Sequence, residues 1–202
     1  MIYLDNAAST QPSEEMCRFY LEAMRNDFAN PHAQHDASEA VRRKIKAAER
    51  QVLSILQADL RQTQVLWTSG GTAASNTAIL GLDWRPGDDV VTTCFEHPSI
   101  LRPLEELKSR GVVVHQVGIN EQGQLNYDDF DAYLNEKTKL VTVTALQNEI
   151  GTVNDLKLIR QKIDALAPKA LFHVDNVQGF GKLNLNWKSL KIDLMSLSGH
   201  KF

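Results

Sequence analysis

Short apolar runs, each bounded by turn residues, alternate with longer stretches of helical period along most of the 202-residue chain. This alternation predicts parallel strands joined by crossover helices. The expected strands are "QVLWT" (64–68), "DVVTTC" (89–94), "GVVVHQV" (111–117), "KLVTVTA" (139–145), "ALFHV" (170–174) and "IDLMSLS" (192–198). Two helices precede them. "SEEMCRFYLEAMRNDF" starts at a Ser13 cap and places Met16, Phe19, Tyr20, Ala23 and Met24 on one face; "SEAVRRKIKAAERQVLSILQ" carries a stripe of Val41, Ile45, Ala48, Val52, Ile55 and Leu56. Both faces are expected to pack on the sheet. Later helical stretches are "PLEELKSRG", stopped by Gly111, and "NDLKLIRQKIDALAP", capped by Asn154. The fold class is therefore α/β, an open and mostly parallel sheet flanked by helices.

Open sheets of this kind bind ligands beyond the carboxyl ends of their strands. Five of the predicted strands deliver polar residues there. Ser69, Gly70, Gly71 and Thr72 follow the first, Glu96 and His97 the second, and Gln147, Asn148 and Glu149 the fourth; Asp175 and Gln178 follow the fifth, and the sixth leads into Ser198, His200 and Lys201.

Composition narrows the partners. With 43% hydrophobic and 23% charged residues the chain is an ordinary globular one, and a net charge of −3 without a basic block gives no footprint for nucleic acid or an anionic membrane. The N-terminus lacks the pattern of a signal peptide and no apolar run is long enough to span a bilayer, so a cytoplasmic location is expected. Cys17 and Cys94 form no Cys-x-x-Cys pair, and packing is the expected role of both. The six histidines show no metal-ligand spacing, and no metal is expected.

"WTSGGTAASNTAILG" reads as strand, glycine turn and helix start, so its N–H groups and positive helix end suit a phosphate; a tight turn that needs glycine for its backbone angles is the alternative. It is neither a Walker A loop nor Gly-x-Gly-x-x-Gly. Asp175 suits a helix cap or turn, or the partner of a cationic ring nitrogen. His97 suits stacking on a flat ring or a hydrogen-bonded strand end. A lysine after a strand can form a Schiff base with an aldehyde. A phosphate cup, a buried aspartate and a strand-end lysine together describe pyridoxal phosphate.

The stretches "YLDNAAST", "NPHAQH", "TSGGTAASN", "EHPSI", "NEIGTVNDL", "HVDNVQGFGKL" and "IDLMSLSGHK" resemble, in order and over the whole chain, the cysteine desulfurases, class V aminotransferase-like enzymes of the type I pyridoxal-phosphate fold. "EHPSI" and "NEIGT" resemble the housekeeping and nitrogen-fixation branch. The resemblance implies that Lys201 is the Schiff-base lysine, Asp175 pairs with the pyridine nitrogen, Gln178 bonds the phenolic oxygen, His97 stacks on the ring and serves as an acid/base, and Asn148 sits beside the ring substituents. Gly71, Thr72, Ser198 and His200 would hold the phosphate. It further implies L-cysteine as substrate, alanine as product, sulfur passed through an enzyme persulfide to acceptor proteins for iron-sulfur cluster or thio-cofactor assembly, and a homodimer in the full-length form.

By the same resemblance, residues 1–14 belong with the small domain and 15–202 form an incomplete cofactor-binding large domain. The family's persulfide cysteine and substrate-gripping arginine follow the lysine and have no counterpart here, so the complete reaction is expected to fail in this chain alone. Two alternatives are a non-catalytic truncated paralogue acting as a binding module, and another class V aminotransferase or lyase. Ala73 stands where the family usually has glutamate, and "NPHAQHD" departs from a serine-rich form.

Overall fold

The structure is a computed structural model that describes residues 2–201. Contacts divide the chain into two compact units, 1–65 and 66–202. The first contains α1 (Glu14–Asn26) and α2 (Asp36–Ile55). Ser13 caps α1 as the sequence predicts, its hydroxyl accepting from the Met16 N–H. The cap of α2 is His35, whose Nδ1 accepts from the Ser38 N–H at 3.3 Å, which gives that histidine a structural role. The apolar stripe of α1 sets a helix but finds no cover: none of its residues is buried, and Met16, Phe19, Tyr20 and Met24 remain exposed. In α2, Val41 and Leu53 are buried, whereas Ile55 of the predicted stripe is exposed.

The second unit runs α3 (Gly71–Leu80), β1 (Asp89–Thr93), α4 (Pro98–Ser109), β2 (Val113–Val117), α5 (Tyr127–Tyr133), β3 (Thr138–Thr144), α6 (Leu156–Leu166), β4 (Leu171–Asp175), α7 (Trp187–Leu190) and β5 (Leu194–Ser196), ending in a 3-10 turn at Gly199–Lys201. All strands are parallel, in the order β2-β1-β3-β4-β5. The chain leaves β1 toward one edge and β3 toward the other, so the order reverses between them. Their ladder also stops early. Pairing ends at Val91↔Val141, although β3 runs on to Thr144 and β1 to Thr93, and the two strands part at their carboxyl ends.

Each face of the sheet carries its own apolar layer, as a parallel sheet with helices on both sides requires. Ile79 of α3 and Ile100, Leu104 and Leu107 of α4 pack on Val90 and Leu140. On the other face Phe130 of α5 and Ile159 and Ile163 of α6 pack on Val91, Val141, Val143, Phe172 and Val174.

Three expectations are corrected. "QVLWT" pairs with no strand among the described residues, and Leu66 and Trp67 are exposed; apolar, β-prone residues make a strand only where a neighbour takes up their backbone hydrogen bonds. The cap of α6 is Asp155, whose Oδ1 accepts from the Leu158 N–H, while Asn154 is drawn inward to donate from Nδ2 to the Thr144 carbonyl at 2.7 Å. Cys17 and Cys94 are both exposed, the first on the uncovered α1 and the second just past β1. The short helices α5 and α7 were not anticipated from the sequence.

Candidate active site

The carboxyl edge of the sheet collects the predicted residues. Gly70, with φ +154° and ψ 179°, turns the chain into α3 through a region essentially reserved for glycine, and it offers no side-chain cap. The first intrahelical bond runs from Ala74 N–H to the Gly70 carbonyl, so the N–H groups of Gly71, Thr72 and Ala73 precede any helical acceptor. No acidic side chain stands in this first turn. Gly71 lies against Ser198, since a Cβ added there would sit 3.5 Å from Ser198 Cβ. Ser198 is buried, and its hydroxyl pairs with His200 Nδ1 at 3.0 Å. An anion fits this donor set: a bare helix N-terminus, a hydroxyl and an imidazole.

Asp175 ends β4 and is only 5% exposed; its Oδ1 accepts from the Val177 N–H at 3.0 Å. Burial pushes its carboxyl above the ordinary aspartate range, and the nearby His97 pulls the other way. A cationic group placed against it would restore its charge, which is the fit a pyridinium nitrogen offers. Gln178 is half-buried three residues further on, and Lys201 is half-buried in the turn after β5. Lys182 joins those two segments, donating from Nζ to the Gln178 carbonyl at 3.0 Å and to the Lys201 carbonyl at 3.1 Å.

His97 is exposed and caps α4, its Nδ1 accepting from the Ser99 N–H at 3.1 Å. A neutral ring so bonded carries its proton on Nε2. Beyond β3, Gln147 accepts the N–H groups of Glu149 and Ile150 and donates to the Phe95 carbonyl, which fixes the turn holding the half-buried Asn148. Thr72 is exposed, its carbonyl taking the Asn76 amide.

Glu96, noted in the sequence only as a strand-end residue, fills the gap where β1 and β3 part. Its Oε1 accepts from Thr93 Oγ1 at 2.6 Å and Thr144 N–H at 2.9 Å, and its Oε2 is buried with no partner among the described residues. Desolvation pushes this carboxyl up to about 8, so it is protonated at neutral pH. No group of three or more histidine, cysteine or acidic residues suited to a metal occurs among the described residues.

The sheet and its flanking helices are those of a type I pyridoxal-phosphate enzyme. A family model described as "Aminotransferase class-V" matches residues 2–202. A cysteine desulfurase of Sinorhizobium fredii is 37% identical over 206 residues, covering 100% of this chain and 52% of that protein; one of Trichormus azollae is 34% identical over 203 residues, covering 100% and 50%. The chain spans about half the length of the curated relatives it matches. Among solved structures, a NifS-like protein superposes with a TM-score of 0.91 at 25% identity, covering 100% of this chain and 55% of the other. "SspA in complex with cysteine" superposes at 0.89 with 28% identity, covering 98% and 57%. This chain belongs to the class V aminotransferase family, whose enzymes depend on pyridoxal phosphate.

Proposed function

We propose that this chain forms the cofactor-binding part of a pyridoxal-phosphate-dependent cysteine desulfurase. The observation that carries the reading is the gathering, on one sheet edge, of the bare N-terminus of α3, the buried Asp175 at the end of β4 and Lys201 in the turn after β5. The names of the two relatives and the cysteine complex of a solved neighbour supply the substrate class.

Bound pyridoxal phosphate would supply an electron sink for charge developing at the α-carbon of an amino acid. The N–H groups of α3's first turn, Thr72, Ser198 and His200 would hold the phosphate. Asp175 would face the ring nitrogen and favour its protonated form, Gln178 would bind the phenolic oxygen, Asn148 would lie near the ring and Lys201 would be the covalent anchor. His97, with Nδ1 engaged by the Ser99 N–H, would be left with Nε2–H as its group for a bound substrate. Sulfur transfer needs a thiolate near the substrate sulfur, and neither exposed cysteine of this chain is assigned that role.

Purified chain mixed with pyridoxal phosphate should turn yellow, and borohydride followed by peptide mapping should find the label on Lys201. A Lys201→Ala variant that retains the same borohydride-fixed label overturns the assignment. Sulfide release from L-cysteine is expected to be absent; robust release by these residues alone contradicts the exclusion of Cys17 and Cys94.

A further inference from the structure

The face of the sheet that α3 and α4 cover changes character along the strands. Val90, Leu140 and Leu171 stand on it near the amino ends, all within or against the apolar cluster of that face. Two residues further along each strand, where side chains return to the same face, come Thr92, Thr142 and His173, each with no exposed surface. Such a polar row inside a parallel sheet is costly unless its members bond to one another. Thr92 Oγ1 finds no partner among the described residues, whereas the other two are bonded: Thr142 Oγ1 lies 2.7 Å from His173 Nδ1, His173 Nε2 lies 3.0 Å from Ser196 Oγ, and Ser75 Oγ donates to Ser196 Oγ at 3.1 Å. The chain of bonds passes from β3 through β4 and β5 into α3. Ser75 and Ser196 are as deeply buried as the histidine.

We infer that Thr142, His173, Ser196 and Ser75 form a buried positioning relay that fixes the phosphate-holding end of α3 to the strand leading to Lys201. The inference rests on the cofactor reading above and goes beyond it. Ser75 stands one helical turn past Gly71, and Ser196 is the last residue of β5, two before Ser198. A hydroxyl–hydroxyl bond between them therefore joins the two halves of the anion site from behind, without touching the ligand. His173 sets the orientation of Ser196, because a neutral imidazole with one donor and one acceptor nitrogen serves both hydroxyls at once. Burial keeps it neutral, its pKa lowered to about 4. The group facing it from β3 is Thr142 and from β5 is Ser196; Asp175 follows two residues on along β4, on the same face.

A positioning role for the phosphate end predicts a selective defect. Equilibrium binding of pyridoxal phosphate and of unphosphorylated pyridoxal is compared in the wild-type chain, Ser75→Ala, His173→Phe and Ile79→Val. The relay variants should lose roughly three- to tenfold of the phosphate-dependent affinity ratio. Ile79→Val, which thins the apolar contact of the same helix, should lower stability and leave the ratio unchanged. An unchanged ratio in a folded Ser75→Ala protein overturns the relay. Hydrogen exchange on the cofactor-free protein separates this result from failure of the cofactor reading. Ser75→Ala should speed exchange of the α3 amides selectively, whether or not the chain takes up pyridoxal phosphate; α3 protection equal to wild type overturns the relay independently.

Discussion

A methyl group on residue 71 would lie 3.0 Å from Val177 Cγ2, so that this side chain must give way, and in ordinary contact with Ser198 Cβ at 3.5 Å. Glycine there lets the loops after β4 and β5 close against the first turn of α3. Gly71→Ala should accordingly press α3 against Val177 in the loop after β4 and weaken pyridoxal phosphate binding by roughly tenfold or more, measured by titration of the visible absorbance. The effect should be much smaller for pyridoxal, which has no phosphate to hold. The gathering of Asp175, His97 and Lys201 at the carboxyl edge of the sheet was legible from the sequence, because each follows a strand-like run. His173 was not. A histidine inside "ALFHV" looks like any other strand residue, and its partners Thr142, Ser196 and Ser75 are set by strand register and helix placement, which no local pattern encodes. Glu96 was visible only as a neighbour of His97; its burial depends on where β1 and β3 part.

At the level of elements, the periodicities located every helix of three turns or more, and they failed where an element depends on a partner. Five of the six predicted strands form, each between or beside neighbours that complete its ladder, whereas "QVLWT" has the composition of a strand and no ladder among the described residues. The cap of α6 shows a finer limit. Asn154 and Asp155 are both good capping residues, and the choice falls to the second because Asn154 is taken by the Thr144 carbonyl. Asp155→Ala should cost about 1 kcal/mol of stability in urea unfolding, and Asp155→Asn should recover most of it. The first turn of α3 offers the opposite experiment. It has no acidic residue, so Ala73→Glu should stabilise the cofactor-free protein by roughly 0.3–1 kcal/mol through the helix dipole. That gain should shrink at high ionic strength, and a salt-independent gain would point to new packing instead.

For the whole molecule, two buried groups give the stability a shape that surface charge does not dictate. Glu96 has a folded pKa of about 8 against an ordinary 4.5, so between these values the folded chain holds a proton that the unfolded chain has released. Its contribution falls by about 1.4 kcal/mol for each pH unit gained across that window. His173 acts in the reverse sense. Its folded pKa of about 4 lies below the ordinary 6.5, so in that window the unfolded chain holds the extra proton and stability falls as pH drops. Between about 4.5 and 6.5 the two slopes oppose, and the carboxyl of Asp175, raised by burial, adds to the decline with rising pH. Above 6.5 the opposing slope of His173 has ended and the decline set by Glu96 runs unopposed. At lower pH the slope of His173 is joined by Asp88, held low by the Arg85 N–H and Lys139, and by Asp164, held low by Lys191 and Arg160; both lose that stabilisation on protonation. Urea unfolding at pH 5, 6.5 and 8 should therefore show a smaller change over the first step than over the second, where the loss is marked. Glu96→Gln keeps an uncharged group of the same shape between β1 and β3 and removes its titration. In that variant the change from pH 5 to 6.5 should move upward relative to wild type, because His173 is no longer offset by Glu96, and the decline toward pH 8 should be reduced. A variant profile parallel to wild type would mean that Glu96 is ionised in the folded protein and that the gap between β1 and β3 admits solvent.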